Sequence, residues 1–148
     1  MAERDTAAIG KEWFDSWNAR DFDRGAKLVA DGAEIVETPT GETFRGPDGS
    51  RQESEKWATA LPDGKVQVRT AIASMEGAAL ECTVAGTHTG PFVSPAGEIP
   101  ATGREVSLDF CTILQIENGK IASVRHYYDT ATMMRQLGLM EAPAGATA

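Results

Sequence analysis

The 148-residue sequence lacks the features that mark several functional classes. It has two cysteines, Cys82 and Cys111, in no C-x-x-C or Cys/His spacing, which removes a disulfide scaffold and any zinc-ligand pattern from consideration. Each lies in a strand-like run and is expected as a buried thiol. Fourteen Lys and Arg face 22 Asp and Glu, for a formal charge of −8 and no basic cluster, so no nucleic-acid partner is expected. No stretch approaches the roughly 20 apolar residues needed to cross a bilayer. Residues 1–9 carry charges and no apolar core of signal-peptide length, so a cytoplasmic protein without membrane contact is expected.

What is present is the balance of a soluble globular chain: 41% apolar and 24% charged residues, at a length suited to one domain over residues 1–148. Such a domain buries roughly 70% of the surface its unfolded chain exposes, enough for a core with a pocket in it. Ala7, Ala8, Trp13, Phe14 and Trp17 recur near a 3.6-residue period and predict a first helix with an aromatic stripe, capped by Asp5 or Thr6. Residues 21–29 read as a short second helix, capped by Asp21 and stopped by Asp31-Gly32. Residues 33–37 alternate as a strand, with a short hairpin arm at 43–45. Residues 50–61 form a third helix with Trp57, Ala58 and Leu61 on one face.

From Lys65 the period changes to two, giving strands at 66–74, 79–89, 105–117 and 120–128, with Glu76-Gly77 and Asn118-Gly119 as turns. Residues 91–103, holding Pro91, Pro95 and Pro100, read as a rim or lid loop. Residues 130–137 form a last helix with Thr130 as cap and Gly138 as stop, and residues 142–148 a flexible tail. Helices followed by hairpin-linked strands indicate an α+β fold, with helices covering one face of a curved, mostly antiparallel sheet to enclose a pocket.

Trp17-Asn18-Ala19-Arg20-Asp21, Ala30-Asp31-Gly32-Ala33, Gly86-Thr87-His88-Thr89-Gly90, Ala101-Thr102-Gly103-Arg104, Asn118-Gly119-Lys120-Ile121 and Gln136-Leu137-Gly138 follow one another in an order that resembles the SnoaL-like polyketide cyclases of the NTF2-like superfamily. The resemblance covers nearly the whole chain. It implies an NTF2-like cone and a cofactor-independent, metal-free acid/base enzyme acting on a hydrophobic carbonyl compound, as an aldol cyclase or a related lyase or isomerase. That chemistry needs a base beside a carbonyl, a donor for the enolate oxygen and apolar walls.

Aligned on Gln136-Leu137-Gly138, the family's acid/base aspartate falls on Asp129, although an Asp before Thr130 also suits a helix cap. In the last strand Val124, His126 and Tyr128 share one face, while Ser123, Arg125, Tyr127 and Asp129 share the other, so His126 and Asp129 point apart unless the strand bulges. His126 is the second catalytic candidate. His88, Trp13, Trp17, Phe110, Thr112 and Tyr128 are the expected substrate-facing residues.

Two cousins fit less well. A ketosteroid isomerase would carry its base at Thr38, with the neighbouring Glu37 expected on the opposite strand face, and its oxyanion acid near Cys111 or Thr112. A limonene epoxide hydrolase would need an Arg-x-Asp strand motif, and residues 106–116 hold no arginine. A non-catalytic small-molecule-binding module remains the alternative to an enzyme. Long strands with apolar residues on both faces further predict a homodimer through the open face of the sheet.

Overall fold

The computed structural model describes residues 3–141; the expected tail at 142–148 lies outside them. Helix α1 (Glu3–Asn18) turns Trp13, Phe14 and Trp17 inward, and all three are buried. It lies close on the sheet at Gly10, where a Cβ would come within 2.7 Å of the Leu114 side chain. The chain then reverses through Arg20, whose positive φ of 59° is held by its guanidinium. That group donates to the carbonyls of Trp17, Leu61, Pro62 and Gly64 and lies 4.1 Å over the Trp17 ring. With Asn18 bonded to Val66 through both amide atoms, this accounts physically for the Trp-Asn-Ala-Arg fragment.

Helix α2 (Phe22–Ala26) is capped by Asp21 as expected, but is shorter than the sequence suggests. Strand β1 (Val29–Glu37) already begins before Asp31-Gly32, and the pair occupies an irregularity in its register rather than a helix stop. Strand β2 (Glu42–Arg45) pairs back on β1, and α3 (Gly46–Ala60) begins four residues earlier than its apolar face indicates, with Pro at its first turn. The strands β3 (Lys65–Ala73), β4 (Gly77–Thr87), β7 (Glu105–Glu117) and β8 (Lys120–Tyr128) follow the predicted pattern. Asn118 and Gly119 both take positive φ in the turn between β7 and β8.

Residues 91–103 are not wholly a loop. They contain a two-stranded hairpin, β5 (Phe92–Ser94) and β6 (Gly97–Ile99), which buries Phe92 against the Trp57 ring. Proline-rich composition hid two three-residue strands that only tertiary packing supports. Helix α4 (Thr130–Gln136) closes the described fold, and its cap is Asp129 rather than Thr130. Gln136 clamps it to the backbone of Ser107 through both amide atoms, Leu137 is buried and Gly138 takes φ +75°. The Gln-Leu-Gly fragment is therefore a docking device.

The large sheet runs β2-β1-β8-β7-β4-β3, antiparallel throughout except for the parallel pair β1 and β8. Two apolar clusters pack on its concave side, one around Ile35, Leu80, Leu114 and Val124, the other around Leu61, Leu108, Met133 and Leu137. Cys82 is buried and Cys111 half-buried, both unpaired; burial pushes the Cys82 thiol up to about 12. Among the described residues no helix is long and apolar enough to cross a membrane.

Candidate active site

A cavity opens where the two apolar clusters meet. It holds about 620 Å³ of atom-free space, counting its open end, and is lined by residues of α1, α3 and five strands. Trp13, Phe14 and Trp17 of α1 and Leu108 and Phe110 of β7 supply apolar walls, and Trp57 and Tyr128 enclose the polar end. Of the residues singled out in the sequence, Trp13, Trp17, Phe110, His126 and Tyr128 line this cavity.

The polar end is built by α3. Ser50, Glu53, Ser54 and Trp57 recur at three- and four-residue spacing, so one helical face carries all four toward the sheet. Ser50 accepts from the Trp13 indole at 3.1 Å, and the Ser54 carbonyl accepts from that of Trp17 at 3.0 Å. Glu53 lies beneath this face, 5% exposed, with Oε1 3.2 Å from Nε2 of His126. The other imidazole nitrogen, Nδ1, is 2.7 Å from the Thr112 hydroxyl. Trp13 stacks on the His126 ring, its centroid 5.8 Å away and nearly parallel. Thr112 thus supports His126 rather than lining the cavity itself.

Burial alone would hold the imidazole neutral, but the bonded Glu53 carboxylate, assisted by Glu37, raises the His126 pKa above its ordinary value. With both nitrogens protonated, His126 donates to Glu53 on one side and to Thr112 on the other. Oε2 of Glu53 is buried and has no hydrogen-bond partner among the described residues. An unpaired buried carboxylate oxygen costs roughly 1–3 kcal/mol or more and calls for a functional explanation.

Glu37 is the second acid here. Sequence parity with Thr38 sets it away from the pocket; the structure corrects this. Ala33, Ile35 and Glu37 form the buried face of β1, so it is Glu37 that faces inward. Its Oε1 accepts from the Lys56 ammonium at 2.9 Å and the Tyr128 hydroxyl at 3.1 Å, and its Oε2 from the Trp57 indole at 2.8 Å. Burial and the nearby Glu53 push its carboxyl up, against the opposing pull of Lys56. Burial opposes the charge on Lys56, yet Glu37 and Glu42 together raise its pKa. Glu37 is therefore committed to anchoring α3, whereas Glu53 has an oxygen to spare.

The remaining candidates lie elsewhere. Asp129 is exposed at the start of α4, where it accepts from the Ala131 amide and the Thr132 hydroxyl; these bonds, the hydroxyl's first, hold its carboxyl below the usual range. It does not line the cavity, because β8 keeps its alternation to Tyr128 and leaves Asp129 on the outer side. His88 is buried but faces a smaller, adjoining pocket. Glu53 and Lys56 escaped the sequence reading, although a glutamate spaced four residues before Trp57 on an inward face was a legible signal.

A curved sheet wrapped by N-terminal helices around an apolar pocket with buried acids defines an NTF2-like, ketosteroid-isomerase-like fold. The sequence profile of the SnoaL-like polyketide cyclases matches residues 8–137, and the chain belongs to that family. No curated protein matches it. Among solved structures, TsrD from Streptomyces laurentii is similar at 21% identity and TM-score 0.80, over 95% of this chain and 99% of that one. A Jannaschia sp. CCS1 protein named for the SnoaL-like polyketide cyclases gives 15% identity and TM-score 0.81, over 94% and 95%. A protein from Catenulispora acidiphila DSM 44928 with a ketosteroid-isomerase-like fold, solved with trimethylamine, gives 20% identity and TM-score 0.75, over 97% and 99%. At these identities the structures establish the fold.

Proposed function

We propose that this chain is a cofactor-independent acid/base enzyme for a hydrophobic, carbonyl-containing small molecule, in the manner of an aldol cyclase, with Glu53 as the base. The observation that carries the reading is Oε2 of Glu53, buried at the polar end of the cavity with no partner among the described residues while Oε1 is fixed by His126. A base so placed has one oxygen left for the substrate and its orientation set beforehand. Oε2 takes a proton from the carbon beside a carbonyl, and the C–H electron pair moves into an enolate. The enolate carbon then bonds to a second carbonyl carbon of the same molecule, and the resulting alkoxide recovers the proton from Glu53. Ser54, which borders the cavity next to Glu53, is the donor offered to the developing oxyanion. His126 is a positioning residue that also balances the carboxylate charge.

Exchange of the C1 protons of 2-tetralone in D2O, followed by NMR, tests the base without the natural substrate. The protein should accelerate exchange over buffer, Glu53→Gln should lower that acceleration by about 10²–10⁴-fold, and Asp129→Asn should leave it unchanged. Exchange lost in Asp129→Asn but kept in Glu53→Gln would overturn the assignment. No acceleration by the parent would favour a binding module.

The outer face of the sheet supports a homodimer. Ile72, Ala79 and Ile113 lie in one cross-strand row, continued by Arg125 and Val36, and Tyr127 stands exposed beside them. We expect a dimer in sedimentation at micromolar concentration; a monomer there would contradict it. A cytoplasmic location goes with this reading.

A further inference from the structure

Beyond Trp57 lies a second, narrow pocket, with about 210 Å³ of atom-free space counting the open solvent at its mouth, lined by Trp57, Leu61, His88, Phe92, Val106, Met133 and Leu137. Among the described residues its unengaged polar side chain is His88. The imidazole is 1% exposed and its Nδ1 accepts from the Thr102 backbone amide at 3.2 Å, with the Thr102 hydroxyl at 2.9 Å. An accepting Nδ1 fixes the neutral tautomer, so the proton sits on Nε2. Burial lowers the pKa of this ring and favours the same neutral form. Nε2 is buried and has no partner among the described residues. The other polar side-chain atom at the wall, the Trp57 indole nitrogen, is engaged by Glu37. A water in this pocket would find one side-chain donor where buried waters usually make about three hydrogen bonds.

The two pockets are consecutive along β7. Val106 lines the second, Leu108 and Phe110 line the first, and Thr112 supports His126, all on the inward face of one strand. Trp57 borders both. We propose that the ligand site continues past Trp57, and that the Nε2–H of His88 receives an acceptor oxygen, carbonyl or ether, on the apolar end of the ligand remote from Glu53. The inference rests on the reading of the first cavity as the reaction site and names a property of its substrate: an apolar frame with an uncharged acceptor at its far end. The Pro-flanked β5–β6 hairpin contributes Phe92 to the wall of this subsite.

The test uses cyclopentanone and its acceptor-free counterpart methylenecyclopentane as probes, with long-range ¹H–¹⁵N imidazole spectra of the labelled full chain. Cyclopentanone should shift the His88 Nε2 resonance and bind about 5–10-fold more tightly than methylenecyclopentane, the worth of one hydrogen bond to an otherwise unpaired donor. In His88→Phe the two probes should bind alike. An Nε2 signal unmoved by saturating cyclopentanone in the unmodified protein overturns the proposal whether or not the variant folds, and so does a preference that survives in a folded His88→Phe. The 2-tetralone exchange measurement reads Glu53 alone, so failure of the subsite and failure of the reaction reading are separable.

Discussion

Glu53 and Asp129 are both carboxylates near a helix, yet their surroundings give them opposite roles. Asp129 has water on one side and the first turn of α4 on the other, and every bond it makes stabilises its charge. Glu53 has His126 on one oxygen and, among the described residues, no hydrogen-bond partner on the other. Removing the charge should therefore act differently at each. Asp129→Asn weakens a cap and lowers thermal stability slightly, with no effect on the cavity. Glu53→Gln keeps an oxygen that accepts from His126 but removes the charge paired with that ring, so it should cost stability, by about 3 kcal/mol or more below the ordinary imidazole pKa of 6.5 and less at higher pH, where His126 sheds its proton. Thermal unfolding of both variants at acid and alkaline pH checks this, and an unchanged stability of Glu53→Gln at both would contradict the charged pair. Asp129 was legible in the sequence as both cap and catalyst; only burial separates the two, and burial is set by where β8 ends.

At the scale of elements, α3 decides the chemistry. It is pinned to the sheet by Lys56 to Glu37 of β1 and by Glu53 to His126 of β8, both ion pairs well shielded from water. The pKa of His126 is raised in the fold, so its pairing stabilises fully below the ordinary value of 6.5 and is lost as pH rises through the folded pKa. Glu37 has the same sign: its raised carboxyl disfavours the charged form, and its contribution falls as pH climbs from 4.5 through its folded value. We expect the amides of α3 to lose hydrogen-exchange protection, after correction for intrinsic rates, as pH rises above 6.5, and His126→Gln to abolish that dependence. Protection independent of pH in the parent would contradict the charged pair. The helix itself was visible from Trp57, Ala58 and Leu61, but its N-terminal half carries glycine, serine and glutamate on the buried side, which no apolar periodicity reveals. Glu37 lay within the strand read from the sequence, and the choice of face by parity with Thr38 is what turned it away; the buried face of β1 runs Ala33, Ile35, Glu37, and its last inward position is acidic.

For the whole molecule the α+β cone was readable because the long strands and first helix have strong periods, and because Arg20, Asn118-Gly119 and Gln136-Leu137-Gly138 each fix one junction. The hairpin within residues 91–103 was not, since three-residue strands carry no period. The cavity's walls were named from the sequence, but its one free acceptor depends on which oxygen of Glu53 His126 occupies, a matter of packing among α3, β7 and β8. The central claim is that a buried carboxyl oxygen with no partner among the described residues serves an apolar cavity bordered by three tryptophans, and their fluorescence makes it measurable. Titration of the protein with 2-naphthol and with 2-methylnaphthalene compares a ligand that can donate to Oε2 with one that cannot. The account predicts that 2-naphthol binds about 10–100-fold more tightly, as a hydrogen bond to a charged group implies, and that Glu53→Gln, which turns an N–H toward the cavity, erases the difference. Equal binding of the two ligands by the parent protein would contradict it.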